Sequence, residues 1–311
     1  MSLKIGYLLP TRENIMRDEP SGAVLLDAAR MAADLGYDSV WAGDSLTARP
    51  RHDPLTLLAA VAGAIPRVEL GTAVLLPVLR NTVVLAQQLA TLDQVSEGRL
   101  RVGVGIAADM PAVRAEFVTA GVPFEKRVGR LLEGYRLMKA LWTGEPVTWD
   151  GRWQLENSTL APVPHTPGGP PLWLGTGVLP GIERAAKYFD GWFPIGPDAE
   201  TFGERRKHYL TTAETAGRDA GSTTTALYLT VAVDNDPQVA DDAINTYLQN
   251  YYNAPPAAMR KFQSCYGGPL DDVLAFIRSY VERGVDHLVL RLVGDHPALL
   301  KQLAAERSQL G

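Results

Sequence analysis

Asp44 stands just past the apolar stretch Val40-Trp41-Ala42 and Gly43, where a short buried strand would end. A carboxylate there points into the opening where ligands bind. It can accept hydrogen bonds from a ligand or, if burial raises its pKa, carry a proton; a turn or helix-cap aspartate is the plainer alternative. Gly103-Val104-Gly105-Ile106-Ala107-Ala108 fits the permissive dinucleotide pattern G-x-G-x-x-G/A, with an acid, Glu125, further on. That pattern should open the first strand–helix turn, whereas three strands precede it here, and Asp109-Met110-Pro111 makes a poor uninterrupted helix. Gly175-Thr176-Gly177 and Ile195-Gly196 follow two further apolar stretches. Backbone amides in such turns, aided by a hydroxyl, hold phosphate without a fixed positive charge; two flexible loops are the alternative. Arg12, Arg49, Arg51 and Arg80 also lie beyond strand ends, where each could meet a phosphate, a carboxylate or a polyglutamate tail, although surface arginines are more often solvated. The five histidines form no metal-ligand spacing and the chain has no G-x-S-x-G elbow, which argues against a metallohydrolase and a serine hydrolase. Asp44 and Asp109 are the one obvious carboxylate pair, and nothing places them for glycoside hydrolysis.

The elements that must position these residues alternate strand and helix. Strands are expected at 3–9, 39–42, 69–74, 100–104, 172–175, 191–194, 226–233 and 287–292, and helices at 22–35, 54–64, 82–95, 124–142, 179–188, 199–216, 237–251, 269–283 and 296–305. Asn81 or Thr82 can cap the helix at 82–95, and Gly98 suits its left-handed exit. Eight alternations in a chain of 311 residues fit a (β/α)8 TIM barrel, an α/β fold, in a single domain 1–311; a doubly wound sheet is the alternative. Three insertions, 11–21, 144–171 and 253–268, lie at the carboxyl ends of strands and should shape the substrate pocket. The second carries Asp150-Gly151, a two-residue hairpin signal. Trp41, Trp142 and Trp173 sit in apolar periodic stretches and read as core.

Composition narrows the partners. A net charge of −5 argues against nucleic acid, no apolar run is long enough to span a membrane, and the single cysteine, Cys265, suits a reducing cytoplasm. Helix 54–64, PLTLLAAVAGA, is apolar nearly all round, and 82–92 almost as much, so a homodimer using these helices is expected.

Six ordered pieces, GYDSVWAGDS, GTAVLLP, LATLDQVSEGRL, GVG, PLWLGTG and FDGW, resemble the bacterial luciferase-like family of flavin- and deazaflavin-dependent oxidoreductases. The resemblance covers roughly the first two thirds of the chain; the last third matches only as a pattern of elements. It implies a barrel binding coenzyme F420 or FMN at its mouth, and a small-molecule substrate. It further implies a non-proline cis peptide at Ala73-Val74, with Thr72, Ala73 and Val74 beneath the ring and Gly105, Ile106 and Ala107 at its pyrimidine edge. The cofactor phosphate would lie near Gly175, Thr176, Gly177, Ile195 and Gly196. Asp44 would touch the cofactor or act in catalysis, and Arg12 and Ser45 would face the substrate. Matching deazaflavin members often have Asp-His where this chain has Asp44-Ser45, which removes a general-acid histidine. F420-dependent hydride transfer is favoured, because the GTAV strand end and the Gly-Asp turn look most like deazaflavin members. Oxygen insertion by a reduced-FMN monooxygenase is the alternative. From other classes, a nicotinamide-dependent dehydrogenase and a non-catalytic flavin-binding paralogue stay open.

Overall fold

The computed structural model describes residues 3–310. Its strands are β1 (Lys4–Leu8), β2 (Ser39–Ala42), β3 (Glu69–Leu75), β4 (Leu100–Val104), β5 (Val147–Asp150), β6 (Gln154–Ser158), β7 (Leu172–Leu174), β8 (Gly191–Trp192), β9 (Thr224–Val233), β10 (Cys265–Gly268) and β11 (His287–Leu292). Hydrogen bonds run in the order β9-β11-β1-β2-β3-β4-β7-β8, and β8 returns to β9, so eight parallel strands close a barrel. Closure replaces the doubly wound alternative, and the dinucleotide reading of Gly103–Ala108 falls with it. That sequence leaves the fourth barrel strand with no helix until Pro111, and Glu125 is a surface residue paired to Arg114.

The barrel is filled, and small residues make that filling feasible. Trp41 packs 5.5 Å from Trp173, 5.3 Å from Phe193 and 5.3 Å from the His287 ring. A Cβ at Gly71 would sit 2.1 Å from Trp41, and one at Gly191 would sit 2.5 Å from Trp173. The glycines in these strands thus trade their own side chains for large aromatic ones from across the barrel. Ser39 Oγ meets His287 Nε2 at 2.7 Å, and burial, then Lys4 and Arg101, lowers the His287 pKa to about 3. Trp142 lies in the outer layer, donating to the Ala86 carbonyl at 3.0 Å.

Where a local cap exists, the expected helix boundaries hold. Asp53 accepts from Thr56 N–H at the start of Pro54–Ala64, and Asn81 accepts from Val83 and Val84 N–H at the start of Thr82–Val95. The latter helix leaves through Gly98 at φ 80°. The insertions contain more order than expected. The first holds the helix Thr11–Met16. In the second, Asp150 pairs with Gln154, so the hairpin turns through three residues, Gly151-Arg152-Trp153, and not two. The third contributes β10, which pairs with the carboxyl half of β9 beyond the point where β8 leaves it. A helix at Pro111–Thr119 was also unforeseen; proline is well tolerated in a first helical turn. The helix expected from 124 begins at Arg127. Among the described residues no helix is long and apolar enough to cross a membrane.

Candidate active site at the carboxyl mouth of the barrel

The end of β3 is the centre of the mouth. Its register against β4 shifts between Thr72 and Leu75, and the Ala73-Val74 peptide within that irregularity is cis. Thr72 is fully buried and its hydroxyl donates to the Gly103 carbonyl at 2.8 Å, so its side chain ties two strands together and offers nothing to a ligand. Ala73 and Val74 are half-buried at the top of the aromatic filling. Val74 explains its small neighbours: a Cβ at Gly105 would lie 2.7 Å from its Cγ2, and one at Gly175 would lie 3.1 Å from its Cγ1. The glycines after β4 and β7 therefore make room first for the Val74 side chain. What results is a low apolar floor of Ala73, Val74, Gly105 and Gly175, flanked by half-buried Ile106 and by Ala107 at φ 67°. A flat ring system suits such a floor, because it is built of small and apolar residues.

Asp44 is held beside this floor. Its side chain is 4% exposed; Oδ2 accepts from Leu76 N–H at 2.8 Å, and Oδ1 accepts from Arg80 Nη2 at 3.0 Å. Arg80 Nη1 donates to Oδ2 as well, and Nη2 reaches Asp53 at 3.1 Å. Burial works against the Arg80 charge, but hydrogen bonds and attraction from Asp44, then Asp53, hold its pKa above the ordinary value. Both Asp44 oxygens are thus occupied, and they fix the chain leaving β3. That geometry suits a positioning group better than a proton carrier, and it removes Arg80 from the candidates for binding phosphate.

Ser45 is buried just past Asp44. Its Oγ donates to Glu116 Oε1 at 2.7 Å, and the same oxygen accepts from the N–H groups of Leu46, Thr47 and Ala48. Glu116, buried on the helix Pro111–Thr119, anchors the segment after β2. The Ser45 hydroxyl, expected to face substrate, is thus engaged within the protein.

Across the mouth, beyond β7, the helix Leu179–Tyr188 begins with no side-chain cap. Pro180 has no N–H, and the Gly181 and Ile182 N–H groups donate to the Val178 carbonyl at 2.9 and 3.0 Å, so the first turn offers an anion the Leu179 N–H and the positive end of the helix dipole. Gly175, Thr176 and Gly177 lead into it; Thr176 Oγ1 leans toward Gly181, where a Cβ would lie 2.0 Å away, and Arg205 Nη1 donates to the Gly177 carbonyl at 2.7 Å. The Ile195 side chain is exposed, but the backbone of the Ile195-Gly196 turn is less open than expected. The Ile195 carbonyl accepts from Ser264 N–H at 2.7 Å, and Gly196 is buried against Phe262 of the third insertion.

A second wall joins three arginines the sequence singled out, Arg12, Arg49 and Arg51, to one residue and a tyrosine cluster it did not. Arg291 of β11 is buried with its guanidinium carbon 4.3 Å from the Tyr251 ring centroid and 4.7 Å from that of Tyr228. Arg12 and Arg51 lie 5.1 and 5.5 Å from Tyr251, and Arg49 lies 5.0 Å from Tyr252. Burial pushes the Arg12 pKa down and those of the Tyr228 and Tyr247 phenols up. The available signals were an arginine inside the apolar strand HLVLRL and tyrosines at 247 and 251 on one helix face.

Comparison with known proteins bears on this geometry. The sequence pattern described as luciferase-like monooxygenase matches residues 3–296. An F420-dependent glucose-6-phosphate dehydrogenase of Kineococcus radiotolerans is 29% identical over 98% of this chain and 96% of its own. One from Nocardia farcinica is 27% identical over 87% of this chain and 88% of its own. A solved F420-dependent secondary alcohol dehydrogenase in complex with an F420-acetone adduct superposes with a TM-score of 0.85 at 21% identity, covering all of both chains.

Proposed function

The chain belongs to the luciferase-like monooxygenase family, and from the mouth of its barrel we propose that it is an oxidoreductase using coenzyme F420 to move a hydride to or from a small organic substrate. The observation that carries this reading is the floor at the end of β3, with Val74 seated between Gly105 and Gly175. The F420-dependent relatives support the choice of cofactor.

The residues fit the group. Ala73 and Val74 would support the ring from below, with Gly105, Ile106 and Ala107 at its edge. The turn Gly175-Thr176-Gly177 and the uncapped helix start after it would take the phosphate, with the Ile195-Gly196 turn beside them. When bound, F420 gives or accepts a hydride at its ring carbon five. The protein's part is positional: Asp44 and Arg80 fix the exit of β3, Glu116 fixes the segment after β2, and the packed aromatic filling seals the floor from below. Titrating the purified protein with F420, reduced and oxidised FMN, and NADPH tests the reading. F420 binding at micromolar concentration or below, followed by fluorescence, is the expected result. FMN binding with F420 ignored would redirect the reading to a monooxygenase.

A homodimer is part of the same proposal. The large side chains of Pro54–Ala64 point inward, leaving Ala59, Ala60, Gly63 and Ala64 exposed, while Val84 of Thr82–Val95 is 53% exposed. The outward face is flatter and less apolar than the sequence suggested, yet small residues permit close helix approach. Light scattering at micromolar concentration should give twice the chain mass; a monomer would refute it.

A further inference from the structure

Arg12, Arg49, Arg51 and Arg291 come from three different strand ends and converge on Tyr251 and Tyr252, near the end of the helix Pro237–Tyr252. None of the four forms an ion pair among the described residues. Glu13, the carboxylate nearest the group, instead accepts from the Tyr247 hydroxyl. Arg291 is buried and Arg12, Arg49 and Arg51 are half-buried; a guanidinium cannot shed its proton to escape burial, so four of them together with so little opposing charge is an unbalanced arrangement.

The unbalanced charge comes with unused donors. Arg12 Nε, Arg291 Nε, Gln263 Nε2 and the Tyr228 hydroxyl are all buried without a hydrogen-bond partner. Arg291 makes one side-chain hydrogen bond, to the Tyr252 hydroxyl at 3.2 Å, and Tyr252 in turn reaches Gln263 Oε1 at 3.4 Å. The tyrosine rings hold the arginines by their faces; Arg51 Nε donates to the Arg49 carbonyl at 3.1 Å and Arg49 Nη2 to Met110 Sδ at 3.4 Å, while Arg12 Nε and Arg291 Nε have no acceptor. Buried orphan donors of this number ask for an acceptor that the protein does not supply.

We propose that this cluster is the subsite for an anionic group, a carboxylate or a phosphate monoester, carried by the substrate. The proposal rests on the F420 reading for the fate of the substrate's other end, though not for the anion contact itself. Its position favours substrate over cofactor. A Cβ at Gly43 would lie 2.4 Å from Arg51 Nη1 and 3.5 Å from the Ala73 carbonyl, so the cluster borders the floor directly. Arg12, Arg49 and Arg51 follow β1 and β2, which stand opposite β7 and β8 across the barrel and so opposite the turns assigned to the cofactor phosphate, while Arg291 of β11, with Tyr228 and Gln263, closes the cluster toward β8.

Phenyl phosphate, benzoate and neutral benzyl alcohol, titrated calorimetrically into the F420-saturated protein at low ionic strength, test it. One or both anions should bind at least about tenfold more tightly than the alcohol, and the tighter of the two assigns the anion as phosphate or carboxylate. Arg12→Gln should weaken that anion by about tenfold or more while F420 affinity stays within about twofold. Arg49→Gln, at a partly exposed position, repeats the measurement should Arg12→Gln fold poorly. Anions that bind no better than benzyl alcohol, or that ignore both substitutions, would overturn the proposal. So would a parallel loss of F420 affinity, which would give the cluster to the cofactor's acidic tail. Should the protein bind no F420 at all, the cofactor reading fails, and the same titrations on the free protein still decide the anion site.

Discussion

Replacing Asp44 by asparagine separates two roles that its position at a strand end left open. The substitution keeps an acceptor for Leu76 N–H, now 2.8 Å away, and removes the charge that faces Arg80. Breaking a fully buried ion pair costs about 3–5 kcal/mol, and an exposed pair is worth about 0–1 kcal/mol. Here Asp44 is 4% exposed but Arg80 is 21% exposed, and Arg80 keeps Asp53 at 3.1 Å. The expected loss is therefore intermediate, about 1–3 kcal/mol, or a fall in Tm of roughly 2–6 °C for a chain of this size. Because Asp44 fixes the exit of β3, F420 affinity should drop roughly tenfold, and kcat at saturating cofactor should return to within about threefold of the parent. Differential scanning fluorimetry, F420 fluorescence titration and steady-state rates make the comparison. A kcat lowered by about 10²–10⁴ with Tm and F420 affinity intact would refute the positioning argument and make Asp44 a proton carrier.

Gly105→Ala places a methyl 2.7 Å from Val74 Cγ2 and should displace the floor. F420 binding should weaken by roughly 1–3 kcal/mol, about tenfold to a hundredfold, and unchanged affinity would remove Val74 from the site. Glu116→Gln removes the charge that gathers Ser45 and the N–H groups of Leu46, Thr47 and Ala48. Trypsin should then cut more readily after Arg51, the Arg49–Pro50 bond being resistant to it, as followed by mass spectrometry, with parent-like resistance counting against the anchor. His287, whose pKa burial lowers to about 3, must gain a proton on unfolding below its ordinary value of 6.5. Its stabilising contribution is present above about pH 6.5 and is lost as pH falls toward 3, at up to about 1.4 kcal/mol per pH unit. Urea unfolding at pH 7.5, 6 and 5 should show this slope in the parent and a shallower one in His287→Gln; identical slopes would exclude His287 as its source.

The sequence by itself determined the order of elements, because each depends on contacts a few residues apart. The bounds of Ser39–Ala42, Leu100–Val104 and His287–Leu292 follow from short apolar runs, and those of Pro54–Ala64 and Thr82–Val95 from the Asp53 and Asn81 caps. Glycines after β4 and β7 were visible as markers of a crowded place. That the crowding comes from Val74 was not visible, since β3 and β7 are brought together only by their shared pairing with β4. Tertiary structure alone decided what the polar side chains do. Asp44 finds Arg80 36 positions away, Ser45 finds Glu116 71 positions away, and Arg291 finds Tyr252 39 positions away. A charged residue past a strand end looks the same in sequence whether it awaits a ligand or already has a partner. The difference lies in a distance of a few ångströms between residues far apart in the chain, and only the pairing of strands and the packing of the helices around them set that distance. Local patterning therefore marked the mouth, and long-range packing divided its residues into those already engaged and the arginines still without a counter-ion.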